Sequence, residues 1–326
     1  MGDQIYLDAP FTHFRGHSIS TSSLERWVAS VYQRGWDTLG YFMTHGASMN
    51  VTEDHEYWNN FPHVPSRAWR ALRDEATREV MLELAVAHAE LMQLAEPVRA
   101  FVIGPSEEPD ISFFVTDTRV NRTFEEREDA RFMDATDFDR LLDWVGNLPC
   151  PGVLVLGQPL LTAPGGGNDW NLPAYEQQYL ELCSALLHSP RDVIILCGDV
   201  HFGRIARIEG PGRDDRGVSI TEVISSPLAV LDPAGAYFDI DNPADDLTTL
   251  PVGHVGDTDT HRGRVTYLDC MPIDKRDEIC EDHFVTVNFS RTSPSEIDVE
   301  ICGWRIRAVD ENSVPLRAME NHLTLR

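Results

Sequence analysis

The chain has 326 residues, with 27 Lys and Arg against 53 Asp and Glu, which gives a formal net charge of -26. Such an acidic protein repels nucleic-acid phosphates and anionic membrane surfaces, so no nucleic-acid-binding surface is expected. The sequence contains no run of about 18 apolar residues, so no membrane segment is predicted. The hydrophobic fraction of 42% is that of a globular protein, and the length suits one large domain or two small ones.

The six cysteines are scattered and form no CxxC pair, which predicts free thiols in a reducing compartment. The first residues do not have the pattern of an export signal. The chain as it stands is therefore expected in the cytoplasm, and export is expected only if a signal precedes Met1.

Apolar residues recur at helical spacing in the first third of the chain. They predict helices over residues 24–34, 36–43 and 65–96. Helices and strands then alternate, which favours a mixed α/β sandwich. This alternation consists of strands 99–103 and 111–116, a helix to residue 148 capped by Asp137, strand 152–156, helix 173–188 and strand 193–197.

The last third of the chain is dominated by predicted strands. They cover residues 203–209, 218–225, 263–269, 283–290 and 297–306, with a long loop over 231–260. Residues 311–326 are predicted to be a C-terminal tail.

The predicted strand 193–197 ends in the sequence Gly-Asp-Val-His, which places Asp199 and His201 just beyond a buried strand. Ligands of open α/β sheets bind beyond the carboxyl ends of such strands. An Asp and a His at this position suit a metal ion. The alternative is an ordinary turn, because Gly-Asp often follows strands for turn geometry alone.

A second cluster lies at the start of the chain, where the sequence Gly-Asp-Gln-Ile-Tyr places Asp3 and Tyr6 three residues apart. A carboxylate and a phenolate are both hard oxygen donors, and a phenolate suits a ferric ion. The alternative is an N-terminal segment in which Tyr6 only packs on the surface.

A third cluster lies in residues 51–62, where acids, one His and two Asn alternate with aromatic residues. Burial of polar groups beside aromatic rings is costly unless these groups are paired or bound to metal. Asp54 is therefore a candidate metal ligand, and His55 is a candidate acid or transition-state donor. The alternative is an acidic loop with a structural His.

Arg119 closes the sequence Asp-Thr-Arg at the end of the predicted strand 111–116. A guanidinium at a strand end can hold a phosphate oxygen in a fork. It can equally well form a structural bridge with Asp117. The three clusters share short, donor-rich sequences near strand ends, and together they favour a metal site.

With these motifs in this order, the chain resembles the calcineurin-like metallophosphoesterases, and within them the alkaline phosphatase D (PhoD-like) family. The matching segments are GDQIY at 2–6, EDHEYWNN at 53–60, DTR at 117–119, GDVH at 198–201 and SSPL at 225–228. The ordered set is far more specific than any one of its parts. The resemblance extends over nearly the whole chain.

The resemblance implies an α/β fold in which residues 1–310 form a β-sandwich flanked by helices in four αββα layers, with the first strands missing. It also implies two or more metal ions, with Fe(III) together with Ca, Mn, Mg or Zn. The implied activity is hydrolysis of small phosphate mono- or diesters by metal-activated water.

The resemblance also implies roles for individual residues. Asp3 corresponds to a carboxylate that bridges two metals, and Tyr6 to the phenolate on the ferric ion. Asp54, Asp199 and His201 correspond to further metal ligands. His55 is implied to stabilise or protonate the leaving oxygen, with Arg119 as a second catalytic residue.

Two features depart from the family pattern. Glu53 stands where relatives have Asp, and the strand and the ligand that relatives carry upstream of GDxxY would lie before Met1. The alternative prediction is therefore a truncated, catalytically inactive binding protein with this fold. The sequence contains no signal for an oligomeric state.

Overall fold

The structure is a computed structural model. It describes residues 4–9, 11–65, 69–94, 96–105, 110–123, 129–167, 170–212, 217–225, 247–252, 262–271, 273–274, 279–280, 282–293, 296–310 and 312–326. Asp3, residues 226–228 of the SSPL segment and most of the predicted loop 231–260 lie outside these ranges.

The described residues form a mixed α/β structure, as the alternation of predicted elements indicated. Its α-helices are α1 (Thr21–Met43), α2 (Glu75–Met92), α3 (Ala135–Gly146) and α4 (Glu176–Leu187). Its strands are β1 (Val98–Ile103), β2 (Ile111–Thr116), β3 (Gly152–Val155), β4 (Val193–Cys197), β5 (Arg204–Gly210), β6 (Val218–Ile224), β7 (Thr249–Leu250), β8 (Gly263–Cys270), β9 (Ile273–Asp274), β10 (Ile279–Cys280), β11 (His283–Ser293), β12 (Glu296–Val309) and β13 (Pro315–Leu325).

An eight-stranded sheet is the centre of the fold, with the strand order β1-β2-β3-β4-β6-β5-β8-β7. Strands β2, β3, β4 and β6 pair in parallel, while β1 and β5 run antiparallel to their neighbours. Strand β4 has the predicted bounds, and its side chains are almost all buried because it lies in the middle of the sheet. The carboxyl ends of β2, β3 and β4 therefore meet at one edge.

The two faces of this sheet are covered differently, as the side chains of β2 demonstrate. Ser112 accepts a hydrogen bond of 2.8 Å from Trp144 Nε1 of α3, and the Phe114 ring lies 5.4 Å from the Trp144 ring. Phe113 points to the other face and lies 6.4 Å from Phe289 of β11. Since alternate side chains of a strand point to opposite faces, α3 covers one face and the sheet β11-β12-β13 covers the other.

A second hydrophobic cluster joins the N-terminal segment to α1 and α2, and includes Leu7, Val28, Tyr32 and Leu72. Each fully buried side chain of this kind stabilises the fold by about 1.5–3 kcal/mol. Val120, just past the end of β2, packs against the same cluster. The cluster therefore lies near the edge at which the parallel strands end.

Helix α1 corrects the prediction of two helices over 24–34 and 36–43, because it continues through Gly35. A Cβ at this position would lie 2.3 Å from Ile5 Cδ1. Gly35 thus serves the close approach of the N-terminal segment to the helix rather than a helix break.

Two further boundaries differ from the predictions. Helix α3 begins after Asp134, whose side chain accepts a hydrogen bond of 2.8 Å from Thr136 N, so the predicted cap Asp137 lies inside the first turn. The predicted helix 65–96 is replaced by a short 3-10 turn followed by α2, because Asp74 caps the helix with a bond of 3.0 Å from Thr77 N.

The prediction of a C-terminal tail over 311–326 is wrong for most of that segment. Residues 315–325 form β13, which pairs antiparallel with β12. Met319 and Leu325 are each 1% exposed and belong to the main core. The alternation of polar and apolar residues in this segment is that of a half-buried strand.

In the part of the chain that the structure describes, no helix is long and apolar enough to cross a membrane. The described cysteines Cys150, Cys183, Cys197, Cys270 and Cys302 are free thiols, as predicted.

Candidate metal centre

The turn that follows β4 has an unusual backbone. Asp199 and His201 both adopt positive φ angles, of 69° and 57°. The turn is held to the neighbouring strand by a hydrogen bond of 3.0 Å from Gly198 N to Gly157 O. Left-handed conformations cost a non-glycine residue about 1 kcal/mol or more, and such residues are concentrated at functional sites.

The acidic segment at 53–56 forms a buried 3-10 turn, Asp54–Glu56. Glu53 N donates a hydrogen bond of 2.8 Å to Glu56 Oε2, and Ile5 N donates one of 3.0 Å to Glu56 Oε1. Glu56 therefore ties the N-terminal segment to this turn. Asn60, which also has a positive φ of 61°, donates from its backbone amide to Asp54 Oδ2.

These two turns bring three carboxylates together. Oxygen atoms of Glu53, Asp54 and Asp199 all lie within 4.8 Å of one another. Glu53 and Asp54 are buried and Asp199 is half-buried. Three like charges at this separation in a poorly solvated position repel one another strongly, so the cluster requires compensating positive charge.

A second group, Glu300 and Glu320 with His322, meets the same distance criterion but is mostly exposed. Exposed acids are solvated and screened, so their grouping has little energetic meaning. Burial is what distinguishes the cluster at Glu53.

Arg119 supplies part of the compensating charge. Its Nε donates to Glu53 Oε2, its Nη1 donates to Phe61 O at 2.9 Å, and its Nη2 lies 3.7 Å from Asp199 Oδ2. Asp117 instead accepts the backbone amides of Arg119 and Val120, at 2.8 and 3.0 Å. The guanidinium therefore pairs with Glu53, and the suggested structural bridge from Arg119 to Asp117 is not formed.

A second arginine, Arg122, supports Asp199 through a chain of hydrogen bonds. Arg122 donates a hydrogen bond of 2.9 Å to Gln158 Oε1, and Gln158 Nε2 donates one of 2.5 Å to Asp199 Oδ2. Arg122 also donates to Trp170 O at 3.0 Å, and its guanidinium lies 5.2 Å from the centre of the Tyr175 ring. Asp199 is thus oriented by a chain of buried polar side chains.

The charges of these groups follow from their burial. Burial raises the pKa of Glu53 to about 8, although Arg119 lowers it in part. Burial alone would raise the pKa of Asp54 also, but attraction to His55 and Arg119 prevails and lowers it below its usual value. Arg119 stays charged, because its three carboxylate neighbours raise its pKa well above the usual value in spite of burial. One guanidinium shared among three carboxylates does not keep Glu53 fully ionised at neutral pH.

Two histidines border the cluster. His55 Nδ1 lies 2.8 Å from Asp8 Oδ1, and Asp8 Oδ2 accepts a hydrogen bond of 2.8 Å from Asn59 N. Asp8 therefore fixes the orientation of the imidazole. Burial lowers the pKa of His201, and attraction to Asp199, two residues before it, raises it only in part. A neutral imidazole is the form that binds metal.

Tyr6 lies against this group from the N-terminal segment. Its ring stacks on the His55 ring, with a distance of 4.3 Å between ring centroids. The following residue holds this segment in place, since Leu7 N donates a hydrogen bond of 2.9 Å to His55 O. Tyr6 therefore borders the cluster through His55. Asp3, the other candidate of this motif, lies outside the described residues.

A metal ion fits these residues. Glu53 Oε1 is fully buried and has no hydrogen-bond partner among the described residues. Such an oxygen is costly to bury unless it meets a cation or a donor. The neighbouring donors are the carboxylate oxygens of Asp54 and Asp199, which suit hard divalent ions.

The candidates from the sequence converge to different degrees. Asp54, Asp199 and Arg119 meet directly, and His55 and His201 border them. Asp8 and Gln158 were missed by the sequence analysis, as was the direct participation of Glu53. Asp8 carried a weak signal, since it lies two residues after the end of the GDQIY motif, and Gln158 follows a predicted strand end.

The site is thus a buried acidic cluster at the carboxyl edge of a mixed sheet. No protein-family model matches this chain, and no curated protein matches it. The solved structure of PhoD is similar to this chain with a TM-score of 0.45 and 14% identity, over 85% of this chain and 53% of that one. The chain spans about half the length of that structure.

Proposed function

We propose that this protein is a metal-dependent phosphoesterase that hydrolyses small phosphate mono- or diesters. The observation that supports this most is the buried group of Glu53, Asp54 and Asp199, with only Arg119 as a direct positive partner among the described residues. The proposal includes a calcineurin-like four-layer arrangement over residues 1–310. It also includes two or more metal ions, with Fe(III) together with Ca, Mn, Mg or Zn.

The proposed metal ligands are Asp54, Asp199 and His201, with Tyr6 and Asp3 from the N-terminal motif. Glu53 joins this proposal through its buried Oε1. Metal ions bound here would supply a Lewis acid and would lower the pKa of water at the site. The left-handed turn carries both Asp199 and His201, and such strained backbone is concentrated at functional sites.

The protein residues would act on the substrate as follows. Asp8 holds Nδ1 of His55, which leaves Nε2 as the atom that gives a proton to the leaving oxygen. Arg119 positions Glu53 and Asp199 and offers Nη2 toward a substrate oxygen. Gln158 and Arg122 keep Asp199 in place.

The test is a phosphatase assay combined with metal analysis. Purified protein is assayed on aryl phosphate mono- and diesters with Fe, Ca, Mn or Mg, and its metal content is measured by mass spectrometry. We expect metal-dependent turnover that Asp199→Asn abolishes together with bound metal. Asp139→Asn on the exposed face of α3 is the matched control and should behave as wild type. Absence of turnover with every metal would refute the proposal.

A second candidate function is a binding protein that keeps the fold but has no activity. The observation that favours it is the guanidinium of Arg119, which contacts Glu53 and lies 3.7 Å from Asp199, and so neutralises part of the cluster without a metal. The same metal analysis separates the two candidates. Equal metal content in wild type and Asp199→Asn, with no turnover in either, favours the binding protein.

A further inference from the structure

A cavity of about 680 Å³ lies at the edge of the sheet opposite to the candidate metal centre. Asp192, which lines it, immediately precedes β4, whereas Asp199 follows that strand. Seven residues separate the two, which corresponds to about 23 Å along an extended chain. The cavity is therefore a separate feature. Its volume lies in the range of about 300–1,000 Å³ that is typical of small-molecule sites.

Three arginines line this cavity, from three different segments. Arg191 comes from the loop before β4, Arg207 from β5, and Arg326 follows β13. The acids in the lining are Asp192 and Glu209. Arg326 is already compensated, because its Nε lies 3.1 Å from Glu296 Oε1. Arg191 and Arg207 are therefore the arginines that matter for a ligand, because salt screens charges beyond about 8 Å at physiological ionic strength.

The two acids interact with other groups as well as with the arginines. Asp192 accepts backbone hydrogen bonds of 2.9 Å on both oxygens, from Ser219 N and Arg326 N, and its charge also acts on Arg207 and Arg326. Glu209 forms an ion pair with Arg264, on the neighbouring strand β8, and its charge also acts on Arg207. Among the described residues neither acid forms an ion pair with Arg191.

Arg191 has the least compensated guanidinium. Its Nε is buried and has no hydrogen-bond partner among the described residues. A guanidinium with an unsatisfied buried donor is costly, and an anion in the cavity would bring compensating charge to it. Arg207 is nearby and donates through Nε to Ser219 Oγ at 2.9 Å. This bond fixes the Arg207 side chain and leaves the Ser219 hydroxyl proton for another acceptor.

We infer that this cavity binds a tetrahedral oxyanion, either free phosphate or the phosphate group of a small monoester. Donors that approach from several separate segments suit a tetrahedral ion, whereas a planar carboxylate is satisfied by a single fork. Arg191 and Arg207 are the principal donors, with the Ser219 hydroxyl between them. This site does not depend on the proposed phosphoesterase activity.

The test is titration calorimetry with inorganic phosphate, glycerol 3-phosphate and acetate. We expect phosphate or the monoester to bind, and the double variant Arg191→Gln/Arg207→Gln to weaken this binding about ten-fold or more. Arg264→Gln removes the same charge from an exposed position on β8 and should leave binding unchanged. The titrations are run in chelator, because the proposed phosphoesterase would also bind phosphate at its metal centre. Under these conditions Asp199→Asn should leave binding unchanged too, because the cavity lies at the opposite edge.

The relative affinities identify the ligand. Equal affinity for phosphate and glycerol 3-phosphate assigns the site to the anion alone, and tighter binding of the ester assigns it to a phosphorylated small molecule. Tighter binding of acetate, absence of binding, or binding that only Asp199→Asn removes overturns the inference.

A measurement on the wild type avoids any effect of the variants on folding. Phosphate should slow the modification of Arg191 by phenylglyoxal, followed by peptide mass spectrometry, and should not slow that of Arg264. Equal modification rates of Arg191 with and without phosphate also overturn the inference.

Discussion

Gly157 lies directly against the carboxylate of Glu53, such that a Cβ at position 157 would stand 1.7 Å from Glu53 Oε1. Glu53 is fully buried, and Arg119 holds its other oxygen. The Glu53 carboxylate therefore cannot move away from a side chain added at position 157. This contact makes Gly157, two residues after the end of β3, part of the candidate metal centre.

Gly157→Ala tests that contact. The added methyl group should displace Glu53 and lower the free energy of unfolding by about 1–3 kcal/mol, as overpacking of a core does. Gly166→Ala is the control, since a Cβ there meets nothing within 4 Å. Denaturant unfolding of both variants measures the difference. Equal stability of the two variants would contradict the described position of Glu53.

The pairing of His55 with Asp8 predicts a graded loss of activity. If the protein is a phosphoesterase, His55→Gln should lower kcat by about 10²–10⁴-fold, because a positioned proton donor contributes that much. Asp8→Asn should cause a smaller loss with bound metal unchanged, since it affects only the orientation of the imidazole. Steady-state kinetics together with metal analysis separate this result from loss of the metal. A loss of metal in both variants would show that they act on binding instead.

The pKa of Glu53 predicts how stability depends on pH in the metal-free protein. The carboxyl loses its proton near pH 4.5 when unfolded, but keeps it to about pH 8 when folded. Between these values the unfolded state binds fewer protons, so stability falls as pH rises from 4.5 to 8.

Glu53→Gln should remove this contribution, and the Tm of the variant should fall less with pH than that of wild type. Glu181→Gln on the exposed face of α4 is the control. Thermal unfolding in chelator across the same pH range is the measurement. Parallel curves for wild type and Glu53→Gln would mean that Glu53 is ionised in the folded protein.

Because residues 315–325 form strand β13, we expect them to contribute to the stability of the fold. Leu325→Ala should lower the free energy of unfolding by about 2–5 kcal/mol, because a buried leucine leaves a cavity. Leu316→Ala, at a position that is 39% exposed, should have a clearly smaller effect. Denaturant unfolding again compares the two. Similar small effects would indicate that residues 315–325 do not belong to the core.

The sequence predicted the buried central strands well, because continuous apolar runs between turn residues have few alternatives. Strands β2 and β4 have the predicted bounds. The prediction from the sequence failed where a long-range contact decides the local structure. Gly35 looked like a helix break, yet it is a packing position for Ile5, which is thirty residues away. Residues 315–325 were predicted to be a tail although they alternate like a half-buried strand, because the pairing with β12 that buries them is a long-range contact.

The residue types of the candidate site were predictable from the sequence, but the contacts between their side chains were not. Spacing near strand ends indicated Asp54 and Asp199, which the structure brings together. The sequence could not show that Glu53, rather than Asp117, would take the Arg119 guanidinium, since both acids are near strand or turn ends. Which acid pairs with Arg119 depends on which side chains are buried together, and the local sequence does not reveal this.

The left-handed backbone at Asp199 and His201 costs the folded protein conformational energy. Glycine would adopt the same conformation without steric cost, so Asp199→Gly should relax the turn while it removes the carboxylate. On steric grounds alone glycine is favoured at position 199. If Asp199 binds metal as proposed, its carboxylate is kept at the cost of this backbone strain.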